Sequence, residues 1–279
     1  RLVVNANVTR RAYWTVAWDS QVILQELCVS ACVPAAFAHL KGGRITVARL
    51  LLLNLAWLAT ATALLLAVAW KNEEERPSAA RKANGGAGDG VGAGEGRSRA
   101  LQLWRPARQC FLLLAGLYNM SPLYQKLTLS ISSDTIGASS SLLLLLHLYL
   151  HDYCFKRTTT ETLAGAVSLG AAIAASVLLA SRLDTTHQVF SYLSFALGQF
   201  VLFPFFRKHL LRLSRKAHLL NTLLMLGATL ETVRSLSGAL AVALAGLALF
   251  TAFLVPWALI SVEKHKVQIS GPWDEAKLH

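Results

Sequence analysis

Long apolar runs separated by short polar connections recur along the whole chain. Runs of roughly 20 residues are what an α-helix needs to cross a bilayer, so the pattern predicts an all-α polytopic membrane protein, a bundle of about eight transmembrane helices. The first span is expected at about Val22 to Leu40. Gln21, Gln25 and Glu26 stand near its start, and Pro34 is a kink that membrane helices tolerate. A short turn, Lys41-Gly-Gly-Arg44, leads into Ile45 to Trp70, with Asn54 as the main polar interruption. Further spans are expected at Gln109 to about Tyr124, Ile136 to Phe155, Glu161 to Ala180, His187 to Phe206, His218 to Val233 and Ser237 to Ile260.

The pattern divides the chain into five parts. Residues 1–21 form a cytosolic or interfacial arm, with Tyr13, Trp14 and Trp18 as candidate interface anchors. Residues 22–70 hold the first two spans. Residues 71–108, with Glu73 to Glu75 and the glycine-rich run from Asn84 to Arg97, have too little apolar surface to fold alone and read as a flexible cytosolic loop. The glycine run superficially suggests a nucleotide-binding loop, but the sequence supplies no strand before it and no helix after it. Residues 109–260 hold six further spans, and residues 261–279 form a cytosolic tail.

Composition supports this reading. Of 279 residues, 54% are hydrophobic and 15% charged, against about a quarter charged in soluble domains; mean hydropathy is +0.46. The net charge of +12 would suggest nucleic acid in a soluble protein. Here the basic residues lie between the apolar runs, so membrane topology explains them better. With both termini cytosolic, 21 of the 27 Lys and Arg fall on the cytosolic side, as the positive-inside rule requires. The four cysteines form no CxxC pair and suggest no disulfide framework. The first 20 residues carry no signal-type apolar core, so targeting is expected from the first membrane helix.

Small residues recur four apart in the fifth span, along Ala166, Gly170 and Ala174 and along Ser168, Ala172, Ser176 and Ala180. Ser237, Ala241 and Ala245 repeat the spacing in the eighth. Such rows let helix backbones approach closely.

Candidate chemistry is concentrated in Tyr118 to Ile136, YNMSPLYQKLTLSISSDTI. Ser121, Pro122, Lys126, Thr128, Ser130, Ser132, Asp134 and Thr135 stand beside hydrocarbon runs. Polar groups persist there where they are buried in protein or line a cavity. A re-entrant turn after Pro122 would let Lys126 and Asp134 pair. The stretch is either a substrate or subunit contact or a hydroxyl-rich connection that satisfies its own backbone. His147 and His151 share a helix face as metal ligands do, and His147 with Asp152 spells an acyltransferase-like HxxxxD. Neither a third ligand box nor the companion acyltransferase blocks accompany them, and rings at a helix end are common at the membrane interface. A lipid-modifying enzyme using His147, His151 and Asp152 is one alternative function. A lipid or solute transporter with Asp134, Lys126 and Glu26 lining a path is another, although no internal repeat supports it. Basic clusters at 207–216 and 264–266 would attract anionic headgroups, but topology already accounts for them. Glu231 and Arg234 are expected to form a local ion pair. No catalytic set, cofactor or metal is expected.

Four strings carry a resemblance. Ser121-Pro122 with Lys126 to Ile136, KLTLSISSDTI, resembles the SPxLKTLTxSISTDTI signature of the PIG-C family, the C subunits of the phosphatidylinositol N-acetylglucosaminyltransferase complex. Tyr13-Trp14 with Gln25 to Cys28 is similar to the family's N-terminal YW…QQLC, and Leu179 to Leu183 to its LASRL. Gly271, Pro272, Trp273, Asp274, Glu275 and Ala276 match its C-terminal GPWDEA. The strings run in order over nearly the whole chain. Gln125 departs from the family's Leu, and Asn84 to Gly96 is longer and richer in glycine than the family leads one to expect. The resemblance implies a required, non-catalytic subunit in the endoplasmic-reticulum membrane. The complex transfers N-acetylglucosamine from UDP-GlcNAc to phosphatidylinositol, the first step of glycosylphosphatidylinositol (GPI) anchor synthesis. Glycosyl transfer would belong to the A subunit, and the H, P, Q and Y subunits would be further partners, with membrane lipid, including phosphatidylinositol, in contact.

Overall fold

The structure, a computed structural model, describes residues 3–4, 12–74, 91–128, 130–153, 159–263 and 269–270. Apart from a two-stranded antiparallel pairing of β1 (Val3–Val4) with β2 (Ile269–Ser270), the regular structure among these residues is helical. The helices are α1 (Tyr13–Lys41), α2 (Val47–Glu74), α3 (Val91–Lys126), α4 (Ser133–Leu150) and α5 (Thr159–Ala180), then α6 (Thr186–Leu197) and α7 (Phe203–Leu213), α8 (Arg215–Arg234), and finally α9 (Gly238–Leu249) and α10 (Val255–Glu263). A π-turn at Gly198–Leu202 joins α6 to α7, and another at Phe250–Leu254 joins α9 to α10. Eight continuous helical segments therefore stand among the described residues. Five are long and apolar enough to cross a membrane: Tyr13–Lys41, Val47–Leu64, Leu163–Ala180, Thr186–Leu211 and Gly238–Val262.

Both π-turns sit just ahead of a proline, and the backbone explains why. Proline has no N–H, and in a regular helix its ring collides with the carbonyl four residues back. Adding one residue to the turn shifts the ladder. The Phe203 N–H bonds Gly198 O immediately before Pro204, and the Val255 N–H bonds Phe250 O immediately before Pro256. Insertions of this kind are a recognised way for a helix to absorb a local conflict.

Some boundaries differ from the sequence-based expectations. α1 begins at Tyr13 rather than Val22, because nothing between Tyr13 and Val33 is a glycine or proline. α3 begins at Val91 rather than near Gln109. Beyond the glycines, Arg97 to Arg108 carries good helix formers in Ala100, Leu101, Gln102 and Leu103, and these prevail over the loop-like composition before them. Residues 75–90 of that loop lie outside the described residues. α3 also continues through Pro122 to Lys126, so the chain makes no re-entrant turn at the proline. The turn comes later, at 127–128 and 130–132. α4 ends at Leu150, since His151 is already extended.

The chain forms two compact units. The smaller comprises residues 1–28 and 222–279. Its core is Leu24, Cys28 and Ala248, with Leu27, Met225 and Leu226 packed against them. The buried Gln25 side chain donates to Thr222 Oγ1 at 2.6 Å, and the Tyr13 hydroxyl donates to Phe253 O at 3.3 Å.

The larger unit, residues 29–221, is built around α4 and α5, which pack along most of their length. α4 buries Ile136, Ser140, Leu144 and His147, a single face at helical spacing. On α5, Ser168, Ala172, Ser176 and Ala180 are buried, and Ser168 meets His147 of α4. Small side chains at this spacing let helix backbones approach closely. Leu142, Leu145 and Tyr149 of α4 face outward, as helices surrounded by lipid allow.

Candidate functional site

Two polar assemblies in the larger unit collect the residues the sequence singled out. The first is the turn between α3 and α4, where Tyr118–Ile136 meets the α5–α6 turn. Local sequence sets both turns. Ser132 caps α4, accepting from the Thr135 N–H at 3.2 Å, and Asp134 in the first turn suits the positive end of the helix. Thr185 caps α6 through a full capping box with Gln188. Each cap satisfies helix N–H groups that would otherwise lack partners.

Side chains then tie the turns to each other. The hydroxyls of Thr128 and Ser181, both buried, lie 2.5 Å apart. The Arg182 guanidinium donates to Thr128 O at 3.0 Å and also to Ile131 O. The Gln125 amide donates to Asp184 O at 2.6 Å, while its oxygen accepts from the Thr186 hydroxyl at 3.3 Å. One cation and one amide thus occupy backbone carbonyls that the turns leave open. Hydrogen bonds from a charged donor are among the stronger ones, so the α3–α4 turn is held from behind.

The predicted residues divide around this clamp. Ser121 and Thr128 are buried, with Ser121 donating to Leu117 O at 2.8 Å. Pro122, Lys126, Ser130, Ser132, Asp134 and Thr135 are exposed. Lys126 and Asp134 do not pair with each other, contrary to the expectation for a re-entrant turn, because the helix carries Lys126 to its own C-terminus while Asp134 starts the next helix. The C-terminal residues Gly271, Pro272, Trp273, Asp274 and Glu275 lie outside the described residues. The sequence pattern assigns no role to Gln125, Ser181, Arg182 or Thr186. Ser181 and Arg182 were marked only as part of the Leu179–Leu183 string that resembles the family's LASRL, and Gln125 stood out only as a departure from the family pattern.

The second assembly lies where α4 meets α5, the Gly198–Leu202 π-turn and α7. His147 is buried, and its Nδ1 lies 3.0 Å from Ser168 O and 2.8 Å from Ser168 Oγ. A carbonyl oxygen only accepts, so Nδ1 carries the proton. Ser168 Oγ in turn donates to His147 O at 2.9 Å. The ring stands edge-on to Phe200 at 5.0 Å and to His151 at 5.3 Å between centroids, and His151 meets Tyr153 at 5.0 Å. His147 therefore fastens α4 to α5. Arg207, from the basic 207–216 cluster, is buried, with a guanidinium nitrogen 3.5 Å from His151 Nε2. Lys208, Arg215 and Lys216 are exposed, and 264–266 lie outside the described residues. In the smaller unit, Glu26 is buried. Glu231 and Arg234 form the expected local ion pair, with contacts of 2.8 and 2.9 Å.

Known proteins resemble the chain over almost its full length. The GPI2 family model, described as phosphatidylinositol N-acetylglucosaminyltransferase, matches residues 1–274. A Homo sapiens protein, named as the C subunit of phosphatidylinositol N-acetylglucosaminyltransferase, is 30% identical over 274 residues, covering 98% of this chain and 84% of the relative. The Schizosaccharomyces pombe phosphatidylinositol N-acetylglucosaminyltransferase GPI2 subunit is 36% identical over 176 residues, 61% of this chain and 53% of its own length. A Dictyostelium discoideum relative is 32% identical over 277 residues, 99% of this chain and 73% of its own. No solved structure matches the chain.

Proposed function

Since the chain belongs to the GPI2 family, we propose that it is a non-catalytic membrane scaffold subunit of the complex that transfers N-acetylglucosamine from UDP-GlcNAc to phosphatidylinositol. This is the first step of GPI-anchor synthesis, in the endoplasmic-reticulum membrane. The catalytic A subunit and the H, P, Q and Y subunits are its partners, and both termini face the cytosol. One observation carries the scaffold reading. Lys126, Ser130, Ser132 and Asp134 are exposed on a turn that Arg182, Gln125 and the Thr128–Ser181 pair hold from behind. A fixed backbone presenting a cation, an anion and hydroxyls is suited to recognising other subunits, because little ordering entropy remains to oppose binding. His147, the centre of the enzyme alternative, is instead engaged in joining α4 to α5.

The test is to purify the tagged chain from gently solubilised membranes, identify what accompanies it, and assay GlcNAc transfer to phosphatidylinositol. A soluble-domain glycosyltransferase should co-purify, with activity present in the complex and absent from the chain alone. Asp134→Ala should lower the yield of complex more than it changes the affinity for UDP-GlcNAc. Full yield with normal activity in that variant would contradict the interface role, and turnover by the isolated chain would contradict the scaffold reading.

A further inference from the structure

Between α2, α3 and the α6–π-turn segment of the larger unit lies a partly open cavity of about 110 Å³. Its lining is mostly hydrocarbon, including Leu113, Leu114 and Val201, with no Lys, Arg, Asp or Glu among the described residues. Ser194 on α6 also lines it, its hydroxyl donating to Phe190 O at 2.7 Å. Asn54 and Trp57 share one wall. They are three residues apart on α2 and so face the same way. The Asn54 amide nitrogen donates to Ser191 O at 3.2 Å, which fixes the orientation of the amide, since the flipped form would set two acceptors against each other. Asn54 Oδ1 is then a buried acceptor with no partner among the described residues, and Trp57 Nε1 is a buried donor with none among them.

The opposite wall is the π-turn. Gly198, its first residue, leaves the indole uncovered: a Cβ there would stand 3.6 Å from Trp57 Cδ1 and 3.7 Å from Nε1. Buried polar atoms in native proteins find partners as a rule, and a π-turn often marks a functional position. An unpaired donor and an unpaired acceptor on one wall call for a group that both accepts and donates. A hydroxyl does so, whereas an ester only accepts.

The surroundings decide what carries that hydroxyl. Exposed neighbours on α2 and α3 are Leu52, Leu53, Leu55, Phe111 and Leu112, and Asn54 stands roughly 10 Å along α2 from its start at 1.5 Å per residue. The cavity is therefore beside hydrocarbon, below the helix ends. It has room for roughly four water volumes. Water filling it would find these two unpaired atoms, the Ser194 hydroxyl and otherwise apolar side chains. A charged headgroup would find no counter-charge.

We propose that this cavity is a binding site for a neutral, hydroxyl-bearing lipid. Its hydroxyl accepts from Trp57 Nε1–H and donates to Asn54 Oδ1, and the adjoining hydrocarbon lies along Leu113, Leu114 and Val201. Diacylglycerol and sterol share this chemistry. Phosphatidylinositol, whose glycerol is fully esterified, lacks the donor at this depth. The site does not depend on the transferase role.

The experiment uses the full chain in nanodiscs with photoreactive analogues of diacylglycerol, a sterol and phosphatidylinositol, with labelled peptides mapped by mass spectrometry. A hydroxyl-bearing probe should label residues around 54–61, 113–114 and 194–202 in preference to the phosphatidylinositol probe, and should raise the melting temperature. Which of the two hydroxyl-bearing probes labels better identifies the source. Trp57→Phe keeps an aromatic ring near Phe206 and should lower labelling roughly five- to tenfold, the effect of one lost hydrogen bond. Gly198→Leu should abolish labelling by filling the space. Equal labelling by all three probes, or labelling unchanged in both variants, would overturn the proposal. So would absence of labelling, which would leave the cavity to water or to a partner protein's side chain. Binding of these lipids by a chain that brings down no glycosyltransferase would keep this site while defeating the scaffold reading.

Discussion

Two rows of small residues run along α5 with identical spacing and opposite fates. Ser168, Ala172, Ser176 and Ala180 are buried, and Ser168 is further engaged by His147. Ala166, Gly170 and Ala174, on the opposite side of the same helix at about 100° per residue, are exposed, and a Cβ added at Gly170 would meet nothing within 4 Å among the described residues. Spacing alone identifies a surface that a helix can approach closely. Whether a helix of this chain does approach depends on the partner, and His147 of α4 meets the buried row at Ser168.

The largest effect should come from the buried row. Ala172 has no exposed surface, so Ala172→Phe forces a ring into a fully buried position on α5. Overpacking usually costs about 1–3 kcal/mol, and more where backbones cannot separate. A large fall in the yield of folded chain and in melting temperature in detergent is expected. A near-normal melting temperature would mean that this face of α5 is not closely packed. Arg182→Ala comes next. It removes two donations from a charged group to the carbonyls of Thr128 and Ile131, and half-burial reduces the effect to about 1–2 kcal/mol. Hydrogen exchange should quicken at the amides of 127–132 while those of α5 stay protected, which distinguishes loss of the clamp from general unfolding.

Much of this architecture was legible in the sequence. Apolar runs gave eight helical segments with short turns, because hydrocarbon length is a strong constraint and little else satisfies it. The turn at Lys41–Arg44 was readable from its glycines, and Gly43 does adopt a left-handed φ of 67°. Boundaries were harder. Tyr13 to Gln21 and Arg97 to Arg108 look interfacial or loop-like by composition, yet only Pro106 among them opposes a helix. The candidate site was half visible. Hydroxyls and charges marked the Tyr118–Ile136 stretch, but its direct partners, Ser181, Arg182 and Asp184, lie more than 50 positions away along the chain. No local pattern states that the two turns adjoin. Gln125 illustrates the limit, since a residue noted only as a departure is the one that links them.

Thr128→Val tests the clamp more finely. Valine keeps the shape and deletes the hydroxyl facing Ser181 at 2.5 Å. Ser181 also donates to Leu178 O at 2.6 Å, so its own hydroxyl is not stranded, and a loss of about 1 kcal/mol is expected. A larger loss would mean that the pair, rather than Arg182, is what holds the turn.

The smallest effect, and the sharpest use of the comparison, belongs to the exposed row. Gly170→Leu adds a bulky side chain where nothing among the described residues lies within 4 Å of the new Cβ. It also replaces a poor helix former with a good one. The isolated chain should melt within a degree or two of the parent, since surface changes of this kind stay within about 0.5 kcal/mol. Ala172→Phe and Gly170→Leu both enlarge a small residue on the same helix, two positions apart, so their difference isolates packing from propensity. If both variants were equally destabilised, the exposed row would have to be covered within the chain itself. If only the buried row responds, burial by neighbouring helices, and not the spacing, decides which row carries stability.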